Sequence, residues 1–433
     1  MSHRSNRTVA LKSLGCKVNQ AEVEEWAPSF LGMGYEVVPF DEVADVYVVN
    51  TCSVTHVADR KSRQLLRQAR RHNPAALVVA TGCYAAVAPD EVARLTGADL
   101  VVGRDDKMRL VYLVHEALEG PDERPVESTS WLAAGRSRAR ALVKIADGCD
   151  KSCAFCIVPY ARGRARSVSP SEVVEKVRGA VQAGYREVVL TAVHMGTYGR
   201  DLSPAVPLRE LLGIILSRTP VERLRLSSIE PEDFDLDLLA LWDRHAGRLC
   251  RHFHLALDSG CDATLRRMRR RYTTQQYADL VRAIRAVVPG AAITADVMVG
   301  FPGETEAEFA ESYAFVQAMG FAQTHVFKYS ARRRTAAAKL PEQVPEDVKR
   351  ERAQAMLALA TVSARRYRAG LLGSTLDVLY EAPTEDCAAS TWQGLTDNYV
   401  RVFVPSATPL ANELLPTRLI DEHPGGLVGC LAT

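Results

Sequence analysis

Short apolar runs separated by longer stretches of helical pattern set the rhythm of the first part of the chain. Residues 9–14, 37–40, 46–49, 77–80 and 100–102 are such runs, bounded by polar or turn residues in the manner of buried strands. Strands that alternate with helices predict an α/β fold, here an N-terminal open parallel α/β sheet over residues 1–120. Residues 121–140, with Pro, Ser, Gly and Arg, read as a linker. A second series follows at 142–146, 187–192, 223–227, 253–257, 293–299 and 324–327, again alternating with helical stretches such as 170–183. Six such units predict a partial TIM (β/α)6 barrel over 141–370. From 371 to 433 the character changes: 376–380 and 399–404 carry Val, Tyr and Phe among turn residues, which predicts a small antiparallel β-barrel.

Composition narrows the class. A chain of 433 residues, 47% hydrophobic and 24% charged, suits a soluble globular protein of two or three domains. No apolar run approaches a membrane span, and the start Met1-Ser2-His3-Arg4 lacks the apolar segment of a signal peptide, so a cytoplasmic setting without a membrane partner is expected. In that reducing compartment ten cysteines suit metal ligation better than disulfides. A formal net charge of +2 confines any nucleic-acid affinity to local patches.

The cysteines fall into two sets. Cys149, Cys153 and Cys156 are spaced Cys-x3-Cys-x2-Cys, which lets three thiolates of one short loop grip a four-iron cluster and leave one iron open. The alternative is a zinc site with a distant fourth ligand, but zinc sites usually pair Cys-x2-Cys with a second such pair, absent here. Cys16, Cys52 and Cys83 are far apart, yet each directly follows an apolar strand. In a parallel sheet such positions share one edge and can converge on a second cluster, with Gly15 and Gly82 allowing close approach. The alternative is three buried structural cysteines. Cys250, Cys261, Cys387 and Cys430 have no ligand-like spacing and read as structural.

The loop Asp147-Gly148-Cys149-Asp150-Lys151-Ser152-Cys153-Ala154-Phe155-Cys156 resembles the signature of radical SAM enzymes. With Cys16, Cys52 and Cys83 before it and the end barrel after it, the whole chain is similar to the methylthiotransferases, whose end barrel is an RNA-binding TRAM domain. The runs Leu14-Gly15-Cys16-Lys17-Val18-Asn19-Gln20 and Asn50-Thr51-Cys52-Ser53-Val54-Thr55 resemble the MtaB type. That resemblance implies two [4Fe-4S] clusters, S-adenosyl-L-methionine and a tRNA substrate, methylthiolated at C2 of N6-threonylcarbamoyladenosine at position 37. It also implies a low-potential electron donor such as flavodoxin or ferredoxin. Other family types act on isopentenyladenosine or a ribosomal-protein aspartate, and a non-enzymatic iron-sulfur RNA-binding or redox-sensing module is the rival outside catalysis. The chain departs from the family at Asp258, usually Gln, at Lys328, usually Pro, and at Arg333-Arg334, usually Pro-Gly.

The resemblance further implies that main-chain atoms of Phe155, His194, Gly196 and Gly300 pair with S-adenosylmethionine, and that Ser228 and Glu230 hold its polar parts. For RNA, Arg60, Arg63, Arg67 and Arg70 recur at helical spacing on one face, which is either a phosphate-binding face or a solvated one. Further basic patches lie at 266–271 and 332–334, and Arg401 stands beside Tyr399 and Phe403 in the end barrel. The threonylcarbamoyl carboxylate calls for a cation, with Lys17, Lys328 and Arg332 as candidates.

Overall fold

The strand Val46–Thr51 is buried at every position, because its alternate side chains enter two different cores. Tyr47 and Val49 pack with Leu66, Val78 and Val92, while Val46 and Val48 pack with Phe30, Val79 and Leu110. The computed structural model describes residues 7–120, 139–384 and 391–432. The chain divides into two compact units, one built from the described parts of Met1–Gly135, Ala146–Arg166 and Ser330–Ala338, the other from those of Arg136–Ile145, Ser167–Tyr329 and Lys339–Thr433.

The first unit holds the predicted open sheet. Its order is Glu36–Val38, Thr8–Ser13, Val46–Thr51, Leu77–Gly82, Leu100–Val101, and every pairing is parallel. Chain order reverses between Thr8–Ser13 and Val46–Thr51, so the crevice at their carboxyl ends is a topological switch point, where such sheets bind ligands. After Val46–Thr51 the hydroxyl of Thr55 accepts the amide of Ala58 at 3.1 Å and caps the helix His56–His72.

All six expected barrel strands are present, in the second unit save the last two residues of the first strand: Arg140–Asp147, Glu187–Ala192, Arg223–Leu226, His252–Leu255, Ala292–Val299 and Gln323–Lys328. Their resolved neighbour pairings are parallel. The 24-residue helix Glu346–Ala369 leads to a closed five-stranded barrel of Thr375–Pro383, Thr391–Thr396, Arg401–Pro405, Gly426–Leu431 and Leu414–His423. Its pairings are antiparallel except Arg401–Pro405 with Gly426–Leu431, which is parallel. Most of the expected linker, 121–138, and Cys387 lie outside the described residues.

Charged side chains join this end barrel to the large one. Glu187 is buried between Arg225, at 2.6 Å, and Arg223, at 2.8 Å. Burial alone would raise its carboxyl, yet the two guanidinium groups hold it down at about 2. Arg225 also donates to the carbonyls of Thr396 at 3.1 Å and Asp397 at 2.8 Å. Tyr399, at φ 64°, stacks on His252 with ring centroids 4.5 Å apart, and the Arg225 guanidinium lies 5.0 Å from its ring. An aromatic residue that the sequence offers to RNA therefore fills an internal seam, and Phe403 packs on His423 at 3.9 Å. No helix among the described residues is long and apolar enough to cross a membrane.

Candidate functional site

Cys16, Cys52 and Cys83 emerge from the carboxyl ends of three adjacent strands, Thr8–Ser13, Val46–Thr51 and Leu77–Gly82. Neighbouring strands lie about 4.8 Å apart, so the sheet itself brings the three loops to one edge. Cys16 stands at the N-terminal boundary of the helix Lys17–Gly32, and Cys83 opens the short helix Cys83–Val87. A Cβ on Gly15 would stand 2.6 Å from the Cys52 sulfur, so this glycine is where the first loop clears the second thiol. At Gly82, φ +90°, a Cβ would meet Asn50 Oδ1 at 2.4 Å. Cys52 and Cys83 are buried while Cys16 reaches the surface, and burial pushes the Cys52 thiol up to about 12.

Polar side chains tie these loops together. The Asn19 amide donates to Leu14 O at 2.7 Å and Thr51 O at 3.0 Å, spanning the first two. The Thr51 hydroxyl donates to Thr81 O at 2.5 Å and accepts from Ala85 N at 3.2 Å, spanning the second and third. Beneath them Glu22, buried in the first helix, accepts from Arg162 at 3.0 Å, Lys107 at 2.5 Å and Asn50 at 2.9 Å. Burial opposes the Arg162 charge, but the fields of Cys83, Glu22, Asp147 and Cys16 raise its pKa well above the usual guanidinium range.

Arg162 also reaches the other cysteine set in the same unit. It donates to Asp147 Oδ1 at 2.7 Å, two residues before Cys149. Cys149, Cys153 and Cys156 are half-buried in a loop folded by its own main chain: Cys149 N donates to Gly163 O at 3.0 Å, and Cys156 N to Cys153 O at 3.1 Å. Lys151 N lies 3.4 Å from the Cys149 sulfur, an amide aimed at a thiolate as in cluster loops. Ala337 N donates to Ala154 O at 2.8 Å beside Phe155. Next to the loop a cleft of about 540 Å³ is lined by Arg104, Lys151, Arg162, Arg164 and Arg166 with Asp105 and Asp150. Soft thiolates in two threes, one with an amide directed at sulfur and one with a cation among buried thiols, fit two iron-sulfur clusters.

The residues expected to meet S-adenosylmethionine in the second unit lie at carboxyl ends of barrel strands. His194 follows Glu187–Ala192, Ser228 and Glu230 follow Arg223–Leu226, and Gly300 follows Ala292–Val299. The buried His194 places Nε2 3.0 Å from Asp233 and 3.3 Å from Glu230. Burial raises the Glu230 carboxyl, with His194 and Arg270 acting in the opposite sense. Gly196 passes so close to Asp233 that a Cβ would sit 2.6 Å from that residue's own Cβ. Gly300, φ +72°, donates its amide to Glu304 at 2.6 Å, and Glu304 is held by Arg352 at 2.8 Å. Asp233 and Arg352 escape sequence reasoning; the signal for Asp233 was its place three residues beyond Glu230. Asp258 is buried and paired with Arg270.

The basic helix face divides. Arg63 donates to the Tyr84 hydroxyl at 2.8 Å, Arg67 to Leu95 O at 2.9 Å, and Arg70 to Asp99 at 2.5 Å, so these three bind the protein's own groups, while Arg60 is exposed. Arg332 is buried against Asp59 at 2.6 Å and Ser53 at 2.8 Å. Lys328 pairs with Glu346, and Arg333 with Glu91 at 3.0 Å. Arg401 pairs with Gln393.

Two family patterns match the chain, the uncharacterized protein family UPF0004 over residues 8–103 and the radical SAM superfamily over 143–316. The chain is similar to the threonylcarbamoyladenosine tRNA methylthiotransferase MtaB of Bacillus subtilis, 38% identical over 426 residues, 95% of this chain and 94% of that one. The protein of that name from Aquifex aeolicus is 40% identical, over 81% of this chain and 87% of its own. A tRNA-2-methylthio-N(6)-dimethylallyladenosine synthase from Akkermansia muciniphila is 33% identical over 96% of both. Among solved structures the radical S-adenosylmethionine methyltransferase TsrM of Kitasatospora setae covers 75% of each chain with a TM-score of 0.54 at 18% identity, a likeness of fold alone.

Proposed function

The chain belongs to the MtaB-type radical SAM methylthiotransferases, and from that premise we propose that it methylthiolates C2 of N6-threonylcarbamoyladenosine at position 37 of tRNA. The family uses two four-iron clusters and S-adenosylmethionine. The observation that carries the reading is the presence of both thiol sets, with Cys16, Cys52 and Cys83 at the edge of one sheet and Cys149, Cys153 and Cys156 in one loop.

An adenine C2–H bond is unactivated, so an acid and a base cannot replace its hydrogen. When bound, the loop cluster supplies the electron that cleaves S-adenosylmethionine and the second cluster supplies the sulfur. The chain's own part is to bind, orient and exclude side reactions. Cys149, Cys153 and Cys156 hold the first cluster and Cys16, Cys52 and Cys83 the second. The main chain at Phe155, His194, Gly196 and Gly300, with Ser228 and Glu230, holds S-adenosylmethionine at the strand ends. Asp233 fixes the His194 ring, and Glu304 fixes the Gly300 amide. Arg60 and Arg401 contact RNA, and a flavodoxin or ferredoxin delivers the electron in the cytoplasm. The units of this work are residues 1–120 for the second cluster, 141–370 for the radical chemistry and 371–433 for RNA.

Anaerobically reconstituted enzyme incubated with tRNA bearing either threonylcarbamoyladenosine or isopentenyladenosine, then digested to nucleosides for mass spectrometry, tests the substrate. Product on the first alone is expected. Product on the second alone contradicts the assignment.

A further inference from the structure

Three neighbouring strands of the large barrel, His252–Leu255, Ala292–Val299 and Gln323–Lys328, each contribute one metal-capable side chain to the same face. In their parallel register Asp296 stands opposite His325, and His254 stands opposite Thr294, two residues before Asp296. Strand alternation therefore puts His254, Asp296 and His325 on one side of the sheet. One ligand atom from each lies within 4.8 Å of the others, and the two imidazole centroids are 5.7 Å apart.

Two details describe how this group is held. His254 Nε2 lies 3.3 Å from Asp296 Oδ2. Two ligands bound at about 2 Å to a tetrahedral ion stand about 3.3 Å apart. The other ring nitrogen, Nδ1, is engaged by the Thr294 hydroxyl at 2.9 Å, which turns Nε2 toward Asp296. A hydrogen bond on the far nitrogen is what orients a metal-ligating histidine. Thr294 is itself held 3.0 Å from Nε2 of His252.

We propose that His254, Asp296 and His325 hold one divalent transition-metal ion, of the zinc or ferrous class, apart from the cysteine sets. Two imidazoles and a carboxylate are the donors such ions take, and three protein ligands leave a coordination position open. Resting on the function proposed above, that position takes the carboxylate of the threonylcarbamoyl group. Two of the cations expected for that role are otherwise placed, Arg332 buried on Asp59 and Lys328 paired with Glu346.

The test titrates the reconstituted full chain with zinc(II), with zinc, iron and sulfide counted by elemental analysis. One zinc per chain is expected, with iron retained. His325→Gln and Asp296→Asn should lose that zinc, and Thr294→Val, which removes only the orienting hydroxyl, should weaken its binding about 10–100-fold. Unchanged iron and sulfide in all three show that they fold. Absence of zinc uptake by the unsubstituted chain, or uptake indifferent to these substitutions, overturns the site. The same variants should raise KM for tRNA bearing threonylcarbamoyladenosine more than they lower kcat. If zinc is lost and KM does not move, the carboxylate role is overturned. If the zinc-bound unsubstituted chain never turns that tRNA over, the proposed function falls and the metal site stands.

Discussion

The loop at 149–156 carries its three thiols on one short segment, braced by main-chain bonds within residues 149–163, whereas Cys16, Cys52 and Cys83 depend on a whole sheet to meet. The first set is a local construction. Two of its main-chain bonds, Cys149 N to Gly163 O and Cys156 N to Cys153 O, stay within residues 149–163, and Ala337 N adds a bond to Ala154 O from farther along the chain. The second exists because three strands are adjacent and because Asn19 and Thr51 tie their loops across the edge. A locally built site tolerates change elsewhere, while a site built on strand order is sensitive wherever the order is secured. Arg162 complicates that division, since it binds Asp147 before one set and Glu22 and Asn19 beneath the other.

The sharpest way to separate the sets is to remove one thiol. Cys153→Ala should lose half the iron of the reconstituted protein and all reductive cleavage of S-adenosylmethionine, read as 5′-deoxyadenosine formed. Retention of cleavage would assign the radical chemistry to the other set.

Arg162 tests whether the sets share a support. Arg162→Met leaves Glu22 buried with one of its cations gone, and breaking such a pair costs about 3–5 kcal/mol. Denaturant unfolding followed by circular dichroism should show that loss, with Arg162→Lys between the two. A loss under about 1 kcal/mol, the range of an exposed pair, would mean the pair supports neither set.

The seam between the two barrels is next in size. Tyr399→Ala removes a ring stacked on His252 and faced by Arg225, a loss of about 1–3 kcal/mol in unfolding. The same seam is acid-sensitive. Glu187 is held at about 2 against an ordinary value of 4.5, so its contribution is complete above pH 4.5 and lost as pH falls toward 2. Glu187→Gln should flatten stability over that window.

The smallest effects are expected on the basic helix. Arg60→Ala should weaken tRNA binding and lower the slope of log affinity against log salt by about 1. Arg67→Ala should leave that slope alone and cost about 1 kcal/mol of stability, since its guanidinium holds Leu95 O. Equal salt slopes for the two variants would erase the distinction drawn between them.

Elements whose cause lies in local pattern were legible in the sequence. All five strands of the open sheet and all six of the large barrel fall on stretches marked out by their apolar residues, and Cys16, Cys52 and Cys83 are recognisable because each follows such a stretch. What pairs across distance was not. Helical spacing puts Arg63, Arg67 and Arg70 on one face, but only the packed structure shows Tyr84, Leu95 and Asp99 waiting on that face. Glu22 and Arg162 are charges in separate stretches that find each other only when helix and loop are assembled. The sequence leaves Tyr399, beside Arg401, open between stacking a base and lying in a core, because nothing nearby in sequence announces His252 and Arg225. His254, Asp296 and His325 lie on three separate strands, joined only by register.

The claim that the two thiol sets hold two clusters with different tasks is tested most directly by Cys52→Ala. Reconstituted anaerobically, this variant should carry half the iron and sulfide, cleave S-adenosylmethionine to 5′-deoxyadenosine, and form no methylthio product on tRNA bearing threonylcarbamoyladenosine. Iron content equal to that of the unsubstituted chain, or methylthio product at its full level, would contradict the account.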